Sequence, residues 1–268
     1  MIRLKTGEEI KILAEGGRVL SGILKEIVDA ANPGVSTLKL EKMARRLIRK
    51  AGGEPAFFGY KTNRGEYPAA LCVSVNDAVV HTPATAEYEI KKGDTVSLDL
   101  GLRYKNFYTD MAVTAIAGRD RVKFFAGGNC SAPEKKVEQL LKTARLALRE
   151  AIGECRAGAP ISAIGKKIQR IVEKNHFNVI RDLVGHGVGY SVHEEPMVPN
   201  YYDRAFDKII MKEGLVIAIE PMITTGRGAI ELAGDNFTYR TADGAPAAHF
   251  EATIAITKKG PLILTPLL

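Results

Sequence analysis

The chain is poor in cysteine, has no long apolar run and lacks a strong excess of one charge. Its three cysteines are an odd number at wide spacings, which argues against a disulfide framework and against a thiolate zinc site. Its longest apolar runs reach about half of the length that a helix needs to cross a bilayer. Residues 1–9 contain no apolar core followed by a cleavage site. We therefore expect a cytoplasmic protein with no membrane association.

The net charge of +7 is modest for 268 residues, and the basic residues are interspersed with acids. The densest basic clusters lie at 39–50 and 119–123, and neither is accompanied by an aromatic stacking motif. These clusters therefore indicate solvated surface more than a nucleic-acid interface. A hydrophobic content of 46% with 26% charged residues is typical of a globular protein of one large domain or two modest ones.

A pair of helices is predicted in the first half of the chain. Thr6 and Glu9 have the spacing of a capping box, so we expect a helix that runs to about residue 31. Thr37 is expected to cap a second helix, which ends at Gly52 and Gly53. A shift of the apolar period towards two then predicts strands over 69–117.

The second half repeats this order. Ser131 and Glu134 have capping-box spacing, which predicts a helix to about residue 157, and Ser162 begins another helix to about residue 175. Strands are expected from Val179 to the C-terminus. The order of helix, break, helix and strands therefore occurs twice.

Short motifs extend this repetition to individual residues. The sequence VHTP at 80–83 resembles VHEEP at 192–196, and a shift of 121 positions aligns Gly93 with Gly214 and Asp99 with Glu220. Chance similarity of short apolar strands explains one match more easily than both in the same order. An internal duplication of this kind usually gives two half-domains with a site at their junction. We expect a single domain over 1–268, built from half-repeats of about 1–125 and 126–268.

Two aspartates are predicted to lie on one face of a hairpin. Residues 96–101 alternate between apolar and polar, so that Asp99 lies on the polar face. A symmetric turn over 103–106 places Asp99 directly opposite Asp110, with Cβ atoms roughly 5 Å apart. Two carboxylates at that distance repel each other unless one is protonated or a cation lies between them. A bulge in the turn would break this register and leave ordinary edge aspartates.

Three further residues are candidate metal ligands. Glu220 follows an apolar run, Glu251 precedes another, and His186 lies in the sequence GHGVG. Carboxylates with an imidazole and without thiolates suit Mn, Fe, Co or Zn. Five such ligands are about right for two ions that share bridging carboxylates, an arrangement that activates water. For His186 taken alone, a hydrogen-bonded core histidine is the alternative.

The other histidines divide into two groups. His81 and His193 occupy equivalent positions of the repeat, each after a valine and before a proline. Such residues donate to a carbonyl oxygen or transfer protons beside metal ions, unless they are interior histidines bonded to backbone carbonyls. His176 and His249 have no repeat partner and are predicted to be structural or surface residues.

Together these residues resemble the methionine aminopeptidases, and among them the shorter type I enzymes, of the pita-bread metallopeptidase fold. The resemblance extends over nearly the whole chain. It is carried by SLDLG at 97–101, TD at 109–110, GHGVG at 185–189, HEEP at 193–196, IEPM at 219–222 and FEAT at 250–253. It implies an α+β (creatinase/aminopeptidase) fold of two pseudo-symmetric helix–strand halves, in which helices cover a curved antiparallel sheet.

The resemblance implies two divalent metal ions per chain, of which the identity (Co, Mn, Fe or Zn) stays open. All five family ligand positions hold a competent residue here. By resemblance, Asp110 and Glu251 bridge the ions, Asp99 binds one ion, and His186 and Glu220 bind the other. Glu220 is also implied to take the proton of the attacking water.

The resemblance also implies substrate contacts. His81 lies near the scissile amide by this analogy, and His193 lies near the carbonyl oxygen, where both would stabilise the developing charge. The residues that correspond to the methionine pocket are Tyr67, Cys72, Val192 and Phe237.

This chain departs from the family at that pocket. Val192 stands where an aromatic residue is usual, Phe237 stands where some members have tryptophan, and four residues are inserted between Tyr60 and Tyr67. Contacts between a thioether and an aromatic ring contribute roughly 0.3–1.5 kcal/mol each, so less ring area would bind methionine less firmly. The segment 119–133 is longer than usual and is expected to connect the halves at the surface.

The implied function is removal of the initiator methionine from new chains by a monomer in the cytoplasm, close to the ribosome. Two alternatives stay open. One is a related pita-bread aminopeptidase of other or broader specificity, such as an Xaa-Pro enzyme, although such relatives usually carry an added N-terminal domain. The other is a non-catalytic member of the fold that binds RNA or protein, although such members generally lose metal ligands.

Overall fold

The computed structural model of the chain describes residues 2–85, 88–118 and 132–266. These residues form two pairs of helices, one pair in each half, with a short 3-10 helix between the second pair and the last strands. The helices are α1 (Gly7–Ala30), α2 (Thr37–Lys50), α3 (Ala132–Ile152) and α4 (Ser162–Lys174), and the 3-10 helix is Arg204–Lys208. Within the described ranges, no helix is both long and apolar enough to span a bilayer.

The first two helices begin at side-chain caps. Thr6 and Glu9 form the expected capping box: the Glu9 N–H donates to Thr6 Oγ1 (3.3 Å), and the Thr6 N–H donates to Glu9 Oε2 (2.7 Å). The second cap was predicted one residue too late. Ser36 accepts from the Lys39 N–H (3.3 Å), and Thr37 is already helical.

The second pair of helices also follows the expected order. Helix α4 begins at Ser162 as predicted, whereas α3 ends at Ile152, earlier than the expected residue 157. The capping pattern predicted at Ser131 lies outside the described residues, as do Cys130 and the basic cluster 119–123.

The strands are short apart from two long ones in the first half. In chain order they are β1 (Glu54–Pro55), β2 (Lys61–Thr62), β3 (Gly65–Glu66), β4 (Leu71–Val75), β5 (Ala78–Val80), β6 (Thr95–Tyr104), β7 (Phe107–Ile116), β8 (Asn178–Val179), β9 (Gly185–Gly187), β10 (Glu194–Val198), β11 (Val216–Ile219), β12 (Met222–Thr224), β13 (Ile230–Leu232), β14 (Tyr239–Thr241), β15 (Ala247–His249), β16 (Ala252–Thr257) and β17 (Gly260–Ile263).

The first-half sheet is organised around β6, which pairs with β7 on one edge and with β4 and β1 on the other. The β6–β7 turn consists of two residues, Lys105 and Asn106, both in the left-handed region (φ 47° and 67°). The predicted four-residue turn is therefore wrong. Asp99 pairs with Ala112, and Asp110 pairs with Gly101. The two aspartates are therefore diagonal neighbours. The observed register differs from the expected one by two residues, so both side chains still lie on the same face of the hairpin.

The second-half sheet has the order β10-β9-β11-β16-β17, and all of its pairs are antiparallel. Ile219 at the end of β11 pairs with Ala252 at the start of β16. Glu220 and Glu251 are the next residues on either side, so both leave the sheet at the same point. His186 on β9 pairs with Ala218 of β11, which brings the imidazole to the same end of the sheet.

Hydrogen bonds join the strands of the two halves at the acids. The Glu251 N–H donates to the Ala112 carbonyl (2.9 Å). The Thr253 hydroxyl donates to the Asp110 carbonyl (2.8 Å) and accepts from the Asp110 N–H (3.0 Å). These bonds hold β7 of the first half against the start of β16 in the second.

The main core lies between the helices and the apolar face of the sheets. Val96, Leu98 and Leu100 of β6 pack in it with residues of α1 and α3, which confirms the alternation expected for this strand. The repeat is visible in the backbone as well. Gly93 and Gly214, which are 121 positions apart, both have a positive φ (90° and 85°) immediately before β6 and β11.

Candidate metal centre and substrate pocket

The structure brings all five predicted ligands to one cavity between the two halves. The His186 ring lies at its centre. His186 Nε2 is 3.4 Å from Glu220 Oε1, 3.9 Å from Glu251 Oε1 and 4.0 Å from Asp110 Oδ2. Asp99 lies beside Asp110 on the same face of the β6–β7 hairpin. Oxygen atoms from both halves therefore converge with one imidazole nitrogen.

The orientation of His186 is set by its neighbours. Its Nδ1 lies 3.0 Å from the Gly187 carbonyl, so a proton on Nδ1 is donated there and the lone pair of Nε2 faces the carboxyls. The flanking glycines leave room for this arrangement. A Cβ at Gly185 would collide with the Ala218 carbonyl, and one at Gly187 would collide with the Glu195 carbonyl.

Burial strongly perturbs the titration of these groups. It raises the pKa of Asp110 to about 8, with a further contribution from Glu220, and it raises the pKa of Glu220 to about 8. It also raises the pKa of Asp99 and of Glu251 well above the usual range, because neighbouring carboxyls add to the loss of solvation. Burial lowers the pKa of His186 to about 3. Without a counter-ion the cluster therefore holds protons on its carboxyls and a neutral imidazole.

The residues fit a divalent cation centre. Asp99 Oδ1 and Glu251 Oε1 are buried and have no hydrogen-bond partner among the described residues, which is costly for carboxyl oxygens. One ligand atom from each of Asp110, His186 and Glu251 lies within 4.8 Å of the others. Oxygen donors with one imidazole suit hard to borderline divalent ions. A dication would satisfy the unpartnered oxygens and remove the repulsion between the carboxylates.

His249 belongs to this centre, although the sequence analysis assigned it no site role. Its Nε2 lies 3.4 Å from Glu220 Oε2, and its side chain is buried. Burial lowers the pKa of His249 to about 3. The signal that could have found it is its position two residues before Glu251, since residues at that spacing in extended chain share a face. His176 is exposed, which confirms it as a surface residue.

His81 and His193 lie at the wall of the same cavity. The His193 ring centroid is 4.4 Å from that of His186 and 5.1 Å from that of Tyr60. His81 has a left-handed backbone (φ 59°), which is uncommon for a residue with a Cβ and frequent at functional sites. Both rings are accessible from the cavity but surrounded by protein, and this desolvation lowers the pKa of each to about 4. Both are therefore neutral donors at pH 7.

An apolar cluster adjoins the acids. Tyr67, Cys72 and Val192 are buried in it, and Phe237 packs against it. The Tyr67 and Phe237 rings meet edge to face with centroids 5.4 Å apart, and the Tyr67 hydroxyl lies 3.0 Å from Cys72 Sγ. Tyr67, Cys72 and Phe237 line the cavity, whereas Val192 is a buried member of the same cluster that does not line it. The four predicted pocket residues therefore lie together.

The segment between Tyr60 and Tyr67, where the resemblance implies an insertion of four residues, forms a small hairpin. Strands β2 and β3 form it, and the Tyr67 N–H donates to the Tyr60 carbonyl (2.9 Å) at its base. Thr62 and Arg64 of the hairpin line the cavity. The sequence predicts an insertion here but no structure for it. Most of the other long segment, 119–133, lies outside the described residues.

Comparison with known proteins agrees with this geometry. The sequence profile of metallopeptidase family M24 matches residues 11–258. The chain is 41% identical to a methionine aminopeptidase of Aquifex aeolicus over 269 residues, a match that covers 99% of each chain. It is similar to the solved structure of a methionine aminopeptidase from Thermotoga maritima, with a TM-score of 0.88, 37% identity and full coverage of both chains. The resemblance and the pita-bread fold expected from the sequence are thereby confirmed.

A more distant likeness bears on the fold alone. A solved prolidase from Pyrococcus horikoshii matches 99% of the chain with a TM-score of 0.73 and 21% identity. The match covers 64% of the prolidase, which is therefore a longer chain.

Proposed function

The chain belongs to metallopeptidase family M24 and is a hydrolase, and from this premise we propose that it removes the initiator methionine from the N-terminus of new protein chains. One observation carries the proposal: four carboxyls and His186, supplied by both halves, converge beside an apolar pocket. The centre uses divalent metal, and we propose two ions of the Mn, Fe, Co or Zn class.

We assign the ligands as follows. Asp110 and Glu251, which lie at the junction of β7 and β16, would hold both ions. Asp99 would hold one of them, and His186 with Glu220 would hold the other. The ions, when bound, supply a water of lowered pKa and polarise the scissile carbonyl.

The side chains around the ions provide the remaining chemistry. Glu220 accepts the proton of the attacking water. His193 and His81 are neutral donors at the cavity wall, and they hydrogen-bond the oxygen on which negative charge develops. The methionine side chain binds among Tyr67, Cys72, Val192 and Phe237.

The proposal extends to the whole chain. Residues 1–268 form one catalytic domain of two half-repeats, about 1–125 and 126–268, and the site lies between them. The chain acts as a monomer in the cytoplasm, close to the ribosome, on N-terminal methionine peptides.

Removal of a bridging ligand tests the site. We expect Asp110→Asn and Glu251→Gln to abolish hydrolysis of Met-Ala-Ser and to lower the bound metal measured by elemental analysis, while circular dichroism stays unchanged. Glu231→Gln, at an exposed carboxyl on β13, is the control and should retain both. Full activity of either ligand variant, with metal supplied, contradicts the assignment.

A substrate comparison tests the specificity. The wild-type protein should cleave Met-Ala faster than Leu-Ala and Met-Pro. Faster cleavage of Met-Pro would indicate an Xaa-Pro enzyme, and comparable rates for all three would indicate a broad aminopeptidase. Purified protein that binds no transition metal and cleaves no peptide would indicate a non-catalytic member of the fold.

A further inference from the structure

The hairpin at 61–66 has no part in the function proposed above, yet its hydrogen bonds fix the backbone position of one side chain, that of Arg64. Thr62 pairs with Gly65, so Asn63 and Arg64 form its turn. The Thr62 hydroxyl donates to the Gly65 carbonyl (2.8 Å) and accepts from the Arg64 N–H (3.0 Å). These two bonds fix the backbone from which the Arg64 side chain extends.

The guanidinium of Arg64 contacts a residue of the second half, Tyr239. Its Nη2 donates to the Tyr239 hydroxyl (2.8 Å), and its carbon lies 5.3 Å from the Tyr239 ring centroid. The Tyr239 ring in turn packs edge to face with His81, with centroids 5.9 Å apart. Arg64 is therefore placed on the His81 side of the cavity.

Arg64 has more N–H donors than its contact with Tyr239 uses. A guanidinium has five N–H groups, and the Tyr239 hydroxyl accepts from one of its nitrogens. Of the described residues that line the cavity, Arg64 is the single lysine or arginine. No carboxylate in the described part of the chain lies within 4.0 Å of its guanidinium, in contrast to Arg103, which pairs with Glu54 (2.7 Å). A planar cation with free donors at a cavity wall matches a carboxylate.

We propose, on the basis of the function proposed above, that Arg64 binds a carboxylate of the substrate on the leaving-group side of the scissile bond. The methionine side chain fills the pocket around Tyr67, and the scissile bond lies between the acids and His81. The residues after methionine then leave past His81 and Tyr239, where Arg64 lies. The carboxylate is either the side chain of an acidic third residue or the C-terminus of a short peptide. Arg64 is thus a specificity-determining residue that the family resemblance does not supply.

Peptides of equal length test this proposal. We would measure kcat/KM for Met-Ala-Ser, Met-Ala-Ser-amide, Met-Ala-Asp-amide and Met-Ala-Lys-amide. The wild-type protein should prefer the two peptides with a carboxylate over Met-Ala-Ser-amide by about fivefold, which corresponds to ~1 kcal/mol. The preference should appear mainly in KM and should shrink at high salt. Preference for the free acid alone assigns the terminal carboxylate, and preference for the aspartyl amide assigns the side chain.

Three variants separate Arg64 from general charge effects. In Arg64→Gln, the ratio of kcat/KM for the carboxylate peptides to kcat/KM for Met-Ala-Ser-amide should fall to about one. In Arg64→Glu this ratio should fall below one, and Met-Ala-Lys-amide should become the best of the amides. Lys61→Gln removes a cation from the same hairpin that does not line the cavity, and it should keep the wild-type ratio. Equal ratios in the wild type and in Arg64→Gln would overturn the proposal, as would an identical change in Lys61→Gln. Failure of the metal-loaded wild type to cleave any of the four peptides would instead overturn the proposed function, and this proposal with it.

Discussion

Among the single residues of the centre, His249 is held at its backbone by one hydroxyl. The Thr114 hydroxyl accepts from the His249 N–H (2.8 Å) and donates to its carbonyl (2.7 Å). The ring is buried beside Glu220, with Nε2 3.4 Å from Oε2, and neither ring nitrogen has a hydrogen-bond partner among the described residues. Residues that orient a metal ligand in this way usually affect metal affinity by 10- to 100-fold.

We therefore expect His249→Phe to weaken metal binding by roughly 10- to 100-fold, because Glu220 loses the imidazole that lies 3.4 Å from its carboxyl. Isothermal titration with Mn²⁺ measures the change. His249→Gln keeps a donor and should recover much of the affinity. His176→Phe, at an exposed histidine, is the control. Unchanged affinity in His249→Phe would show that Glu220 is oriented without it.

The left-handed backbone of His81 gives a prediction about stability. A Cβ at this φ costs roughly 1–2 kcal/mol, and glycine avoids that cost. His81→Gly should therefore be more stable than His81→Ala by about 1 kcal/mol in urea unfolding, although both lose the imidazole. An alanine variant of equal or greater stability would show that the backbone at His81 is not strained.

Residue type was enough to select candidate ligands that lie together. Asp99, Asp110, His186, Glu220 and Glu251 were chosen for their oxygen or nitrogen donors on strand-like segments, and the structure brings all five together. His249 was missed because a histidine without a repeat partner resembles an ordinary core residue. Its contact with Glu220 depends on how β15 packs beside the end of β11, which local sequence does not specify.

At the scale of elements, the N-terminal segment stabilises the loop that carries His193. Lys5 Nζ lies 2.8 Å from Glu194 Oε2, with both side chains almost inaccessible, and Glu194 Oε1 accepts the N–H groups of Tyr190 and Ser191. The Lys5 N–H also donates to the Gly214 carbonyl (2.7 Å). The segment before α1 therefore connects the turn before β11 with the loop at 189–194.

Lys5→Met should destabilise the protein by roughly 2–3 kcal/mol, since it leaves a buried carboxylate with fewer partners. Arg3, which lies 3.3 Å from Glu194, limits the loss. Lys11→Met removes a lysine whose pair with Glu8 is exposed, and it should change stability by less than about 0.5 kcal/mol. Urea unfolding measures both. Equal effects of the two substitutions would show that the Lys5–Glu194 pair adds nothing beyond a surface contact.

The elements themselves were largely predictable, because caps, glycines and apolar periods are local signals. The hairpin register was not. A symmetric turn over 103–106 was the prediction, whereas the turn consists of Lys105 and Asn106 only. Asparagine is among the residues that tolerate a left-handed backbone. Reading Asn106 in this way would have predicted the two-residue turn.

At the scale of the molecule, the buried acids couple stability to pH and metal. Folding raises the pKa of the carboxyls, so the metal-free folded state binds more protons than the unfolded chain above pH ~4. This contribution to stability is lost as pH rises through about 8. Folding lowers the pKa of the histidines, so their contribution grows with pH up to ~6.5 and then stays constant.

Between pH 6.5 and 8.5 we therefore expect the free energy of unfolding of the metal-free protein to fall, by up to about 1.4 kcal/mol per pH unit for each carboxyl that titrates. Added Mn²⁺ should stabilise the protein more at pH 8 than at pH 6.5, because its ligands must lose protons first. Urea unfolding with and without the ion measures both effects. A metal-free stability that rises over this interval would contradict the burial of four interacting carboxyls.

The two-halved organisation was predictable from the repeat, but its junction was not. Sequence similarity aligned Asp99 with Glu220, yet the contacts that unite the halves link Asp110 with Thr253 and Ala112 with Glu251. These contacts form between segments more than a hundred residues apart, and no local pattern encodes them.

Anomalous diffraction from crystals soaked with Mn²⁺ tests most directly whether the two halves of this chain build one dinuclear centre. We predict two peaks within a few ångströms of each other, both in contact with Asp110 and Glu251, and with His186 at one of them. Manganese bound only elsewhere on the molecule, or no ordered manganese in crystals of active protein, would contradict the account.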